Sequence, residues 1–153
     1  MVFRDIRSFL DALGAENQLL TISEPVNPEP DIAAAVRALN NLGENVPAVS
    51  FTDVSGYPDA HIVMNVHGSW ANHAIMMGLP KATRVKDQFF ELARRWKNHP
   101  VEVEWDETPP YQEVSITEDI NLYDIMPLFR LNQFDGGFYI GKGLVVSRDL
   151  NDP

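Results

Sequence analysis

Residues 48–66 read AVSFTDVSGYPDAHIVMNV, and this stretch decides the fold class. Two apolar runs, 48–54 and 61–66, lie on either side of residues 55–58 (SGYP), whose types are typical of a turn. Short apolar runs that are bounded by turn residues predict β-strands. The stretch therefore predicts two strands that are joined by a turn.

The segment before these strands predicts two helices and a further strand. In the first helix, apolar residues recur at i, i+3, i+4 and i+7, namely Ile6, Phe9, Leu10 and Leu13. Gly14 is expected to end that helix, and residues 18–23 (QLLTIS) predict a strand. Asp31 is placed to cap an Ala-rich helix that runs through Ile32, Val36 and Leu39 and stops at Gly43.

The segment after these strands predicts two more helices. Ser69 is a suitable N-cap for a helix that runs to Met77 and ends at Gly78. Residues 85–96 predict another amphipathic helix, with apolar positions at Val85, Phe89, Leu92, Ala93 and Trp96. Strands and helices that alternate in this way predict a layered α/β unit.

The charge of the chain excludes several classes of partner. The 153 residues contain 12 Lys and Arg against 22 Asp and Glu, which gives a formal net charge of -10. Such a chain repels nucleic acid backbones and anionic membrane surfaces, so we expect neither as a partner. The chain has no cysteine, which excludes disulfides, Cys-zinc sites and thiol nucleophiles. No apolar run is long enough to span a bilayer and the N-terminus does not read as a signal peptide, so the expected location is the cytoplasm.

The composition changes near Pro109-Pro110, where we place a domain boundary. Residues 1–108 are expected to form the α/β domain, and residues 109–153 the beginning of a second, β-rich domain. Residues 138–147 (FYIGKGLVVS) predict one long strand, and no further strand follows it to act as a partner. Self-association is therefore expected.

Few motifs in the chain carry chemistry by themselves. The histidines at 61, 67, 73 and 99 form no metal-binding motif, and ordinary core or surface histidines are the preferred interpretation. Gly141-Lys142-Gly143 would allow close backbone approach, with the lysine meeting a phosphate, but a bulge with a solvated lysine explains it as well. The tryptophans at 70, 96 and 105 are interpreted as core or interface filling.

Several stretches together resemble the UbiD-like decarboxylase family. They are 121–132 (NLYDIMPLFRLN), 135–140 (DGGFYI) and 145–149 (VVSRD), with 5–10 (DIRSFL) and 19–26 (LLTISEPV) nearer the start. Residues 68–75 (GSWANHAI) and 77–80 (MGLP) resemble in particular the branch of hydroxyarylic-acid decarboxylases, which act on 4-hydroxybenzoate and vanillate. The resemblance extends from about residue 3 to residue 149, and its order and spacing are more specific than any single motif.

This resemblance implies an enzyme that reversibly decarboxylates aromatic acids of the hydroxybenzoate type. Family members use prenylated FMN with a divalent metal such as Mn and often K, and the flavin lies in a split β-barrel behind an N-terminal α/β domain. The resemblance also implies a flavin prenyltransferase, of the kind that accompanies this branch, as the supplier of the cofactor. A homo-oligomer is expected as well.

The resemblance also indicates which functional residues this chain contains. Residues that match the first barrel strand and its end are expected to lie near the cofactor, namely Gly136, Gly137, Lys142, Ser147 and Arg148. The family's catalytic Arg and acidic residues and its metal ligands are expected beyond Pro153, so no catalytic or metal-ligating residue is expected in these 153 residues. The chain alone is therefore expected to be an inactive N-terminal portion.

Two other hypotheses remain open from the sequence. One is an interaction or scaffold domain that kept the fold and lost the chemistry. The other is a small flavin-binding protein that uses the β-rich tail. A reading frame that continues past Pro153 into the catalytic segment would favour the enzyme, and flavin bound by the 153-residue chain would favour the flavin-binding protein.

Overall fold

The computed structural model describes residues 3–99, 102, 105 and 107–145. Its helices and strands are, in chain order, α1 (Ile6–Ala15), β1 (Leu19–Ile22), α2 (Ala33–Asn40), β2 (Ala48–Phe51), β3 (Ile62–Met64), α3 (Trp70–Met76), α4 (Val85–Trp96) and α5 (Leu122–Ile125). A π-helical turn at Pro28–Ile32 leads into α2, and a 3-10 turn spans Pro110–Gln112. In the described part of the chain, no helix is long and apolar enough to cross a membrane. The predicted mixture of helices and strands is confirmed, whereas the domain boundary near residue 109 stays a prediction.

The sheet has three strands in the order β1-β2-β3. β1 runs parallel to β2, with Leu19 opposite Ala48. Parallel neighbours need a crossover connection, and α2 forms part of it here. β2 and β3 are antiparallel, with Phe51 opposite Ile62, so the predicted pair of strands around a turn is confirmed.

The middle strand β2 divides the core into two clusters. All four of its residues are buried, and successive side chains point to opposite faces of the sheet. Val49 and Phe51 lie in one cluster, together with Ile32, Val36, Val54 and Phe129. Ala48 lies in the other, together with Phe9, Leu13, Val66 and Ile75. Helix α2 therefore covers one face of the sheet, and α1 and α3 cover the other.

Two of the predicted helix ends are confirmed. Ser69 caps α3, because its side chain accepts a hydrogen bond from the backbone N–H of Asn72. Gly78 follows α3 with a φ of 69°, the left-handed conformation that glycine adopts at low cost.

Two other predicted helix ends are wrong. Helix α1 runs through Gly14, and the left-handed residue behind it is Asn17, with a φ of 57°. Asp31 does not cap α2, because the residue with extended backbone ahead of the helix is Glu29 (φ -131°, ψ 131°), which leaves Asp31 inside the helical backbone. Its carboxylate accepts hydrogen bonds from the backbone N and the Nδ2 of Asn27 instead, both at 2.9 Å.

The long strand predicted at residues 138–147 is absent from the part of it that the structure describes. Among the described residues, the only β-bridge of 138–145 is an isolated one between Phe129 and Tyr139. Lys142 has a φ of 60°, which interrupts any extended run. A strand is held by ladder hydrogen bonds, and in the described part of the chain no strand lies beside residues 138–145 to supply them.

Three of the contacts that hold the tail, residues 107–145, against the α/β layers lie between residues 123 and 130. Phe129 is 9% exposed and packs in the cluster that contains Phe51. The Tyr57 hydroxyl donates to the carbonyl of Tyr123 at 2.5 Å. Arg130 forms an ion pair with Glu29, in which its Nε donates to Oε1 at 2.9 Å.

Candidate functional site

His67 is the centre of a polar cluster that lies beside a cavity of the described chain. It lies between β3 and α3, and both of its ring nitrogens have partners. The Nζ of Lys142 lies 2.5 Å from Nδ1, and the Sδ of Met76 lies 2.9 Å from Nε2. Lys142 is 75 residues further along the chain, so the tail folds back on the α/β layers at this point.

The surroundings of His67 favour its neutral form. Partial burial, the positive charge of Lys142 and the nearby His73 lower the pKa of His67 below its ordinary value. A lysine ammonium can only donate, so Nδ1 of the neutral ring accepts from Lys142. The remaining proton then sits on Nε2 and points toward the sulfur of Met76.

A cleft of about 400 Å³ opens beside this histidine. It is lined by Glu44, His67, Gly68, Ser69, Trp70 and His73. The ring of His73 stands 5.3 Å from the ring of His67 and 5.3 Å from that of Trp70, so three rings form one wall. This wall offers stacking surfaces, and Lys142 brings a positive charge to its edge.

A tight turn at Gly68 places these residues. Its N–H donates to the carbonyl of Asn65 at 2.8 Å. A Cβ at position 68 would lie 3.0 Å from Cβ of Asn65 and 3.1 Å from its carbonyl oxygen, which is closer than side chains normally pack. Asn65 itself has a φ of 56°, which asparagine tolerates better than most residues. Glycine at position 68 therefore lets the chain enter α3 immediately after His67.

A second, smaller cavity lies at the tail. It has a volume of about 230 Å³ and is lined by Tyr123, Arg130, Gly137 and Phe138. The guanidinium of Arg130 lies 5.8 Å from the centre of the Phe138 ring. Hydrogen bonds from Arg130 lower the pKa of Glu29, and the same contact raises the pKa of Arg130. The cation at this cavity is therefore already paired with a carboxylate.

The structure places the predicted cofactor residues at two different cavities. Gly137 lines the smaller one, whereas Lys142 contacts His67, which lines the larger one. An added Cβ at Gly136 or Gly137 would meet nothing within 4 Å, so these glycines leave open space and form no close contact. Ser147 and Arg148 lie outside the described residues.

The described residues do not form a complete flavin site. A flavin phosphate needs several backbone or cationic donors that converge on it. Of the two cations, Arg130 is paired with Glu29, and Lys142 contacts only a histidine ring. Within the described residues, no group of three or more His, Asp or Glu side chains could hold a metal ion.

The sequence alone does not indicate that His67 contacts Lys142 and Met76, because the spacing of the four histidines favours ordinary core or surface histidines. Its partners Lys142 and Met76 lie 75 and 9 residues away, and no motif links the three positions. The GKG stretch draws attention to Lys142 alone. Only the folded chain brings that lysine to the histidine.

Replacing Lys142 by methionine is expected to raise the pKa of His67 toward its ordinary value, because a neighbouring positive charge is removed. NMR titration of the imidazole signals measures this shift. Lys86→Met is the matched control, because it removes the same positive charge at a different place, where the lysine lies over the ring of Phe90. An unchanged pKa of His67 in Lys142→Met would contradict the contact.

The same histidine should make stability depend on pH. The folded state holds the pKa of His67 below its ordinary value of 6.5, so the unfolded chain binds the proton first as the pH falls. The free energy of unfolding should thus decline below about pH 6.5, and less steeply in His67→Gln. Urea unfolding at several pH values would check this, and equal slopes for both proteins would contradict it.

Residues 10–92 match the family described as the 3-octaprenyl-4-hydroxybenzoate carboxy-lyase N-terminal domain, UbiD_N. The phenolic acid decarboxylase of Bacillus subtilis (strain 168) is 56% identical over 153 residues, which are 100% of this chain and 32% of that protein. The chain therefore spans about a third of the length of the curated relatives it matches.

Solved structures show the same likeness. The vanillic acid decarboxylase of Sedimentibacter hydroxybenzoicus, in an open form, superposes with a TM-score of 0.86 at 54% identity, covering 93% of this chain and 30% of that chain. The UbiD-class enzyme HmfF from Pelotomaculum thermopropionicum, in complex with FMN, superposes with a TM-score of 0.65 at 22% identity, covering 80% of this chain and 26% of that chain. The second likeness shows the fold alone.

Proposed function

This chain belongs to the UbiD carboxy-lyase family, and from that premise we propose that it is the N-terminal portion of a decarboxylase for phenolic acids of the hydroxybenzoate type. One observation carries the proposal. Four relatives that are called phenolic acid decarboxylases are 52–56% identical to it over 99–100% of its length. These alignments cover the tail as well as the α/β layers.

Prenylated FMN is the cofactor we propose for the whole protein. Loss of CO2 from an sp2 carbon needs an electron sink, and a modified flavin is a cofactor that supplies one. Relatives of the same fold are described as UbiD-class enzymes in complex with FMN or prFMN. In the whole protein, Gly136, Gly137, Lys142, Ser147 and Arg148 would border this cofactor, and further residues would complete its site.

The remaining parts of the proposal concern the protein's surroundings. A divalent metal, for which Mn is the first choice, and K would accompany the flavin. A flavin prenyltransferase would supply the cofactor in the cytoplasm. The solved vanillic acid decarboxylase ShVdcCD contains a second component, ShVdcD, which supports an assembly of more than one chain here too.

The proposal can be tested with a chimera in which this chain replaces the aligned third of the Bacillus subtilis phenolic acid decarboxylase. The chimera, the 153-residue chain and the Bacillus enzyme are each coexpressed with a flavin prenyltransferase and supplied with Mn²⁺. CO2 release is measured from 4-hydroxybenzoate and vanillate. The chimera should reach a rate within about tenfold of the Bacillus enzyme, a difference of about 1.4 kcal/mol in activation free energy. The 153-residue chain should stay at background.

Two outcomes would contradict the proposal. A folded, flavin-loaded chimera without activity would refute the decarboxylase function and favour a scaffold role. Turnover by the 153-residue chain alone would show that the catalytic residues were wrongly placed beyond Pro153. Circular dichroism and flavin absorbance of the chimera separate a failed fold from a failed reaction.

A further inference from the structure

Glu29, in the turn ahead of α2, accepts three hydrogen bonds from a single residue of the tail. Its Oε2 accepts from the backbone N–H of Arg130 at 3.2 Å, and its Oε1 accepts from Nε at 2.9 Å and from Nη2 of the same residue. The side chains of Glu29 and Arg130 are 30% and 41% exposed, and an ion pair in that range adds little to stability by itself. A carboxylate that binds both the backbone and the planar fork of an arginine fixes its position and direction instead.

The backbone around Glu29 fixes the direction of its carboxylate. Pro28 and Pro30 flank this residue in the turn. A residue that precedes proline avoids helical backbone, and Glu29 accordingly has an extended φ of -131° and ψ of 131°. Ile32 of the same turn is 0% exposed, in the core cluster that also contains Phe129. The core therefore holds the turn from which the carboxylate reaches the tail.

Arg130 stands at the base of a loop, residues 131–137, which we call the glycine loop. The carbonyl of Phe129, just before the loop, accepts from the N–H of Tyr139, just after it, at 3.3 Å. The guanidinium of Arg130 lies 5.8 Å from the centre of the Phe138 ring. These contacts join the two ends of the loop. Phe129 and the ion pair with Glu29 attach this base to the α/β layers.

The glycine loop is also fixed within itself. The Oδ2 of Asp135 accepts from the backbone N–H groups of Leu131 at 3.0 Å and of Asn132 at 2.8 Å. A loop with such internal hydrogen bonds turns as one unit when its base turns. The two glycines at its end therefore take their position from the base, where Arg130 lies.

The ion pair lies between two cavities. One of about 100 Å³ is lined by the turn ahead of α2 on one side, and by Arg130 and the first residues of the glycine loop on the other. The other is the cavity of about 230 Å³ that Arg130 shares with Gly137 and Phe138. A change in the direction of the Arg130 side chain would thus alter the wall that contains Gly137.

The tail occupies the same place in a longer relative. The superposition on the vanillic acid decarboxylase covers 93% of this chain, which is more than the α/β layers alone contain, and only 30% of that chain. The contact between Glu29 and Arg130 therefore joins two regions whose arrangement is shared with a protein of much greater length.

We propose that Glu29 is a positioning residue that acts through Arg130 to place the glycine loop at the cofactor. This inference rests on the proposed function, in which Gly136 and Gly137 border the flavin. Glu29 touches neither flavin nor substrate in this role, because it holds the arginine and the arginine holds the base of the loop.

Loss of the Glu29 carboxylate should redirect Arg130. Glu29 and, to a smaller extent, Asp135 raise the pKa of Arg130, so Asp135 is the carboxylate to which the freed guanidinium would turn. That contact would draw Asp135 away from the N–H groups of Leu131 and Asn132, which it holds in the native loop. The glycine loop should then leave its place.

The first test follows the loop in the 153-residue chain by NMR. Glu29→Gln keeps the shape of the side chain and removes its charge, and it should move the amide signals of Gly136 and Gly137. Arg130→Met should move the same signals. Glu91→Gln is the matched control and should leave them in place, because Glu91 also accepts from two arginines but lies on helix α4.

The second test uses the Bacillus chimera described above, with FMN as the probe. Glu29→Gln should weaken FMN binding about tenfold, which corresponds to about 1.4 kcal/mol, and Glu91→Gln should leave it unchanged. In the chimera loaded with prenylated FMN, the kcat per bound flavin should change less than about twofold in Glu29→Gln. In an Arg130→Met background, Glu29→Gln should weaken FMN binding no further, since both changes act on one contact.

Three results would overturn the proposal. The first is that the glycine signals stay in place in Glu29→Gln. The second is that Glu29→Gln and Glu91→Gln weaken FMN binding equally. The third is a further loss of FMN affinity when Glu29→Gln is added to Arg130→Met, which would show that Glu29 acts by another route. A parent chimera that binds no FMN would instead count against the proposed function, and the glycine signals would still decide whether Glu29 places the loop.

Discussion

Phe51→Ala is expected to lower the free energy of unfolding by about 3–5 kcal/mol, the usual cost of emptying a large buried aromatic site. Phe51 is 0% exposed in the middle strand of the sheet. Its cluster joins the π-helical turn through Ile32, helix α2 through Val36 and the tail through Phe129. The cavity that the smaller side chain leaves would therefore border three parts of the chain, and these parts cannot all shift to fill it.

Urea unfolding followed by tryptophan fluorescence and circular dichroism measures this change. Phe89→Ala is the matched control, because Phe89 is 69% exposed and its loss should change the free energy of unfolding by no more than about 0.5 kcal/mol. A loss below about 1 kcal/mol for Phe51→Ala would mean that the site collapses around the smaller residue.

Leu13→Ala is the second large change, with an expected loss of about 2–5 kcal/mol in the free energy of unfolding. Leu13 is 0% exposed and packs on the opposite face of the sheet, in the cluster that contains Phe9, Ala48 and Ile75. Leu42→Ala is its matched control, since Leu42 is 81% exposed. Equal losses for Leu13→Ala and Leu42→Ala would contradict the assignment of α1 to the core.

The two core variants should differ in how they affect the tail. Phe129 packs in the cluster that contains Phe51, and it is not part of the cluster that contains Leu13. Hydrogen exchange of the Tyr139 amide, which donates to the carbonyl of Phe129 at 3.3 Å, reports on this attachment. At equal global stability, this amide should exchange faster in Phe51→Ala than in Leu13→Ala. The reverse order would show that the tail is attached independently of Phe51.

Local signals predicted the α/β layers well. The apolar runs indicated β2 and β3, and the helical spacing indicated α1 and α4, with α4 spanning Val85–Trp96 as expected. Short-range capping was predicted correctly at Ser69, where the side chain needs only its own helix. It was wrong at Asp31, because the extended residue ahead of the helix is Glu29, and the Asp31 carboxylate accepts from Asn27 instead.

The tail shows the limit of such signals. An alternation of apolar residues predicts a strand only if a neighbouring strand completes its hydrogen bonds, and the described residues 138–145 have none beyond the bridge at Tyr139. The candidate site has the same limit. The GKG stretch favours a bulge with a solvated lysine and leaves a phosphate contact as the alternative, yet the folded chain places this lysine against His67.

The sequence by itself determined the order of α1 to α4 and β1 to β3 and the family, because these depend on residue types at short spacing. Only the tertiary structure decided that His67 contacts Lys142, that Arg130 pairs with Glu29 across 101 residues, and that α4 faces solvent with its apolar side. Contacts between distant residues depend on how whole elements pack, and periodicity describes one element at a time. An amphipathic pattern thus predicts that α4 has an apolar face, while its packing against α3 decides whether that face meets the core or stays exposed.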